Sequence, residues 1–133
     1  PNIAPGDADI LIAFEKLESN RWKHMLKQKD SIAIINEYEI APTLVQQGDK
    51  EYPEDVLDNM KQKSEVISLD ATATGAKMGN PAIANILLLG IAARYMDISV
   101  ETWFKTFEQY LPAKFVELNK KAFMYGYEQE YLK

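Results

Sequence analysis

Three short apolar runs punctuate the first half of the chain, and none of them alternates with polar residues. They are Ile10-Leu11-Ile12-Ala13-Phe14, which follows Asp7 and Asp9, then Ser31-Ile32-Ala33-Ile34-Ile35, then Val66-Ile67-Ser68-Leu69. Short, β-branched, unalternating runs predict strands buried on both faces, the habit of a parallel sheet. Between the first two runs, Leu17, Arg21, Trp22, Met25 and Leu26 recur at helical spacing among Glu, Lys and Gln. Between the last two, Pro53-Glu54-Asp55-Val56-Leu57 predicts a second helix, because Pro suits a first turn and the acids suit its positive end. Tyr38 to Tyr52 breaks the pattern with Pro42 and the turn Gln46-Gln47-Gly48-Asp49. It reads as an excursion at the carboxyl edge of the sheet, with backbone that seeks pairing, including with another chain.

The second half is helical. Asn80 can cap and Pro81 can start a helix running to about Met96, apolar nearly all round and therefore buried on most sides. Ser99 can cap the next, where Val100, Trp103, Phe104, Phe107, Tyr110 and Leu111 form one apolar stripe. Pro112 ends that helix and starts the last, which carries Phe115, Val116, Leu118, Ala122 and Phe123. The prediction is a single α/β domain over residues 1–133, a three-layer sandwich with a mostly parallel sheet and a helical C-terminal layer.

Composition narrows the chemistry. The 133 residues carry 15 Lys and Arg against 20 Asp and Glu, a formal net charge of −5. No basic cluster offers counterion release, so no nucleic-acid partner is expected. There are no cysteines, which excludes disulfides, thiol catalysis and Cys-ligated zinc or iron–sulfur clusters within these residues. The longest apolar stretch, Ile86 to Ala93, is far short of the roughly 20 residues of a membrane span. A soluble, cytoplasmic chain without a membrane partner is therefore expected. The opening Pro1-Asn2-Ile3 shows neither a secretory leader nor an initiator Met, so a fragment or a processed product is expected.

In open parallel sheets, ligands collect beyond the carboxyl ends of strands. Here the three runs exit into Glu15, Asn36 and Asp70, three polar candidates that can equally cap the turns that follow. The segment from Asp70 to Asn80 supplies the candidate ligand or interface residues Thr72, Thr74, Gly75, Lys77, Gly79 and Asn80. Glycines and a lysine before a helix can cradle an anion through backbone N–H groups. The same residues also suit a plain loop, with Gly for positive φ and Asn80 as an N-cap. The segment is not a Walker loop, since Met78 follows Lys77, and GxGxxG is absent. His24 reads as a surface residue, and Glu15, Glu18 and Arg21 as a helix-stabilising set. No catalytic or metal-ligating set stands out. On residues alone, a stand-alone nucleotide- or flavin-binding module and a non-enzymatic assembly domain both remain open.

One resemblance covers essentially the whole chain. Asn2-Ile3-Ala4-Pro5-Gly6-Asp7-Ala8-Asp9-Ile10-Leu11-Ile12-Ala13-Phe14-Glu15, then Leu17-Glu18 and Arg21, resembles the gamma-type domain of 2-oxoacid:ferredoxin oxidoreductases. Within that family the chain is most like the beta subunits of indolepyruvate ferredoxin oxidoreductases. Gly79-Asn80, Asn85, Leu88-Leu89-Gly90 and Asn119-Lys120-Lys121-Ala122-Phe123 with Gly126 carry the same resemblance. The family begins with a strand and a GxGGxG turn that this chain does not show. The expectation is a family domain without its first part, and a sheet without its first strands. The resemblance implies a subunit that is inactive by itself. It would support thiamine-dependent oxidative decarboxylation of a 2-oxoacid, of indolepyruvate or pyruvate type, to an acyl-CoA. Thiamine diphosphate and iron–sulfur clusters would sit in a partner subunit, ferredoxin would be reached through that partner, and no cofactor would be held by this chain alone. Coenzyme A could meet the stretch from Thr74 to Asn80, and the isolated chain could pair as a homodimer.

Overall fold

The computed structural model describes residues 2–38, 61 and 64–133. The helix expected at Pro53 and nearly all of the Tyr38 to Tyr52 excursion lie outside the described residues. The chain is an α/β protein whose residues fall into two compact units, Pro1–Leu69 and Asp70–Lys133.

The first unit holds the sheet. Strands β1 (Ile10–Ala13), β2 (Ile32–Asn36) and β3 (Glu65–Leu69) lie in the order 1-2-3. Both pairings are parallel, with Ile12 opposite Ile34 and Ile34 opposite Ile67. The three apolar runs are therefore the three strands. Burial on both faces holds only for the central one: β2 is buried throughout, whereas β1 and β3 are mostly half-buried. Each outer strand has one hydrogen-bonded neighbour among the described strands, and that leaves its side chains less covered.

Helix α1 (Lys16–Trp22) is shorter than the apolar spacing through Leu26 predicts. A 3₁₀ turn, Lys23–Met25, takes over, and Leu26 is extended. The cause is a backbone pairing. Ala8 N–H donates to the Met25 carbonyl at 2.9 Å, and Lys27 N–H donates to the Ala8 carbonyl at 2.9 Å. This ladder needs extended chain at Leu26, which then packs with Ala8, Ala13, Ala33 and Ile35. On α1 itself the buried residue is Ser19, whose hydroxyl donates to the Lys16 carbonyl at 2.6 Å, while Trp22 is half exposed.

The second unit is all helix. It comprises α2 (Ala71–Lys77), a 3₁₀ turn at Pro81–Ile83, α3 (Ala84–Ala93), α4 (Val100–Tyr110), α5 (Ala113–Tyr127) and a last 3₁₀ turn at Glu130–Leu132. The capping signals act, although Pro81 starts a 3₁₀ turn rather than the α-helix itself and α3 ends at Ala93 rather than near Met96. Asn80 Oδ1 accepts from Ala82 N–H at 2.9 Å, Ser99 Oγ accepts from Thr102 N–H at 3.2 Å, and Pro112 precedes α5. Helix α3 buries Leu87, Leu88 and Ile91 completely. It meets α5 backbone to backbone. A Cβ on Gly90 would lie 2.1 Å from the Phe123 carbonyl oxygen, and one on Gly126 would lie 2.2 Å from that of Leu87.

Phe123 is the centre of an aromatic cluster, with the rings of Trp103, Phe104, Phe107 and Tyr127 between 5.5 and 6.0 Å away. Two residues leave the expected apolar faces. Tyr110 is 73% exposed, because α4 ends there and Leu111, in extended conformation, turns onto the cluster instead. Phe115 is exposed in the first turn of α5 beneath the Lys114 ammonium, 4.9 Å from its ring, while its neighbour Val116 is buried.

Candidate functional site

Glu15 and Asn36 end neighbouring strands and build one corner of the first unit. Asn36 is buried, and its side-chain amide donates to the Phe14 carbonyl at 3.2 Å, tying the end of β2 to the end of β1. Glu15 is the N-cap of α1, its carboxylate accepting from Glu18 N–H at 3.0 Å. An acid there also meets the positive end of the helix dipole. Glu18 pairs with Arg21 at 3.1 Å, so Glu15, Glu18 and Arg21 are the stabilising set their spacing predicts. A pocket of about 240 Å³ opens beside this corner, walled by Leu11, Ile12, Phe14 and Trp22 with Glu15 and Glu18 at its polar side. That is smaller than the roughly 300–1,000 Å³ typical of small-molecule sites. His24 lies on the surface near this pocket, stacked on Trp22 with its Nδ1 3.0 Å from the Arg21 carbonyl oxygen.

Asp70, Thr72, Thr74, Gly75, Lys77, Gly79 and Asn80 come together in the second unit, on α2 and the turn after it. Most of the stretch read as a loop is helix. Asp70 caps it, accepting from Ala73 N–H at 2.8 Å, and Thr74 Oγ1 donates to the Asp70 carbonyl at 3.0 Å. The N–H groups of Met78, Gly79 and Asn80 donate to the carbonyls of Thr74, Ala76 and Gly75. These backbone donors are thus committed within the segment, and a carboxylate already occupies the helix end an anion would use. What the segment presents outward is side chains, with Lys77 its one cation.

Gly75 has a packing reason as well: a Cβ there would lie 3.0 Å from the Asn80 carbonyl oxygen. Gly79 has φ +113, a conformation that favours glycine.

Among the described residues, no group of three or more His, Asp or Glu side chains could hold a metal ion. Iron–sulfur clusters do not fit this chain, which has no cysteine. Among the described residues, three lysines have a raised pKa, Lys27, Lys120 and Lys133. Lys27 is raised by its hydrogen bond to Asp9 and by that carboxylate's charge, and Lys120 by its hydrogen bond to Glu108.

Sequence reasoning missed Phe14 as a surface residue. It continues the β1 run, yet it is 59% exposed at the pocket, just past the strand's last paired residue. It also missed the close α3–α5 approach, for which Gly90 and Gly126 inside apolar helices were the available signal.

Residues 1–129 match the description of the pyruvate ferredoxin/flavodoxin oxidoreductase family. The chain belongs to that family. Curated family relatives include indolepyruvate oxidoreductase subunit IorB of Archaeoglobus fulgidus, 30% identical over 97% of this chain and 66% of the relative. The same subunit of Thermococcus kodakarensis is 28% identical over 93% of this chain and 64% of the relative. The chain thus spans slightly less than two thirds of the length of these family members. A keto/oxoacid ferredoxin oxidoreductase gamma subunit from Geobacter sulfurreducens has the same fold, with a TM-score of 0.69, 24% identity, and coverage of 96% of this chain and 67% of that one. The pyruvate oxidoreductase subunit PORC of Thermotoga maritima does too, with a TM-score of 0.66, 22% identity, and coverage of 96% and 66%.

Proposed function

We propose that this chain is the gamma-type part of a 2-oxoacid ferredoxin oxidoreductase, of indolepyruvate or pyruvate type. The observation that carries this reading is the family match over residues 1–129, with relatives that are themselves named as subunits. The chain's chemistry supports the division of labour. With no cysteine these residues ligate no iron–sulfur cluster, and the family resemblance assigns the clusters and thiamine diphosphate to a partner subunit through which electrons would reach ferredoxin. Thiamine diphosphate, when bound there, supplies the carbanion chemistry of decarboxylation. In the first unit Asn36 and Glu15 fix the strand-end corner, and in the second unit Asp70 caps α2 and Asn80 caps the 3₁₀ turn that precedes α3. Within the assembly, the stretch from Thr74 to Asn80 would meet coenzyme A, with Lys77 as its one cation toward the phosphates. No helix among the described residues is long and apolar enough to cross a membrane.

The test is a viologen-reduction assay with indolepyruvate and pyruvate. The complex assembled with its thiamine-bearing subunit should turn over at least one of them, and the purified chain alone should turn over neither. Viologen reduction by the chain alone, or full activity of the partner subunit without it, would overturn the proposal.

A further inference from the structure

We draw no further inference here: the strongest candidate, the pocket of about 240 Å³ between the carboxyl end of β1 and helix α1, with the exposed Phe14 and half-exposed Trp22 in its wall, already has its carboxylates engaged in capping α1 and pairing with Arg21, and nothing in the structure shows what covers it.

Discussion

Replacing Gly126 by Ala should destabilise the protein, although helix propensity alone predicts the opposite. Gly126 lies in α5, where Ala is about 1 kcal/mol more favourable than Gly in a free helix. In the structure, however, the new methyl would sit 2.2 Å from the Leu87 carbonyl oxygen and 3.0 Å from the Ile91 backbone nitrogen. Ordinary contact begins near 3.4 Å, so α3 and α5 would have to separate by more than 1 Å. The neighbour is backbone and cannot swing aside as a flexible side chain would. Separation on that scale also opens gaps around Leu87, Leu88, Ile91 and Phe123, all fully buried, and gaps of 0.5–1 Å already forfeit about a quarter to a half of each dispersion contact. Overpacking of this kind costs about 1–3 kcal/mol, with backbone clashes at the upper end or beyond. After the propensity gain, a net loss of about 2–3 kcal/mol remains, equivalent to a fall of about 6–15 °C in Tm for a chain of this size. Gly90→Ala should behave alike, its methyl lying 2.1 Å from the Phe123 carbonyl oxygen. Asn85→Ala, exposed on the same helix α3, should stay within about 0.5 kcal/mol of the parent. Thermal unfolding followed by far-UV circular dichroism reads all three. A Gly126→Ala protein as stable as the parent, or more so, would refute the close-approach argument.

Further expectations concern the strand-end corner, the caps and the surface charges. Asn36→Ala removes a buried amide and its part-buried hydrogen bond to the Phe14 carbonyl, so urea unfolding should show a loss of about 0.5–1.5 kcal/mol; a neutral result would mean the tie between β1 and β2 does nothing. Ser99→Ala removes the acceptor for Thr102 N–H and should cost about 1 kcal/mol by the same measurement, with Ser99→Gly costing only a few tenths. The hydrogen bond from Lys120 to Glu108 joins α5 to α4 and raises the lysine pKa above 10.5. A group whose folded pKa is raised contributes below its unfolded value and loses that contribution as pH climbs through the folded one. The stability difference between the parent and Lys120→Met should therefore be seen in full below the ordinary lysine pKa and shrink as the pH climbs above it, and a difference that grows with pH would contradict the assignment.

The strands were the most legible part of the sequence. All three apolar runs are strands, although only Ile32 to Ile35, in β2, is buried on both faces. Capping residues were nearly as legible, because Ser99, Asn80 and Pro112 act on the chain immediately after them. What could not be read depended on distant partners. The end of α1 is set by Ala8 pairing with the chain around Leu26, an interaction across 18 residues that helical spacing does not encode. Tyr110 and Leu111 both fit an apolar stripe, and only the end of α4 decides which one packs inward. The Asp70–Asn80 segment has loop-like residues, two glycines and two threonines among them, but Asp70 capping and helix-internal bonds make its first seven positions after Asp70 a helix. Family membership was legible because many modest matches keep their order along the whole chain, although no single one is a signature.

Native co-purification tests the central claim most directly. The chain, tagged in its source cells and isolated under gentle conditions, should elute in fixed stoichiometry with a subunit that contains thiamine diphosphate and iron–sulfur clusters, and the eluate should reduce viologen with a 2-oxoacid. A chain that elutes alone or only with itself, from cells in which that thiamine-dependent activity is present in other fractions, would contradict the account.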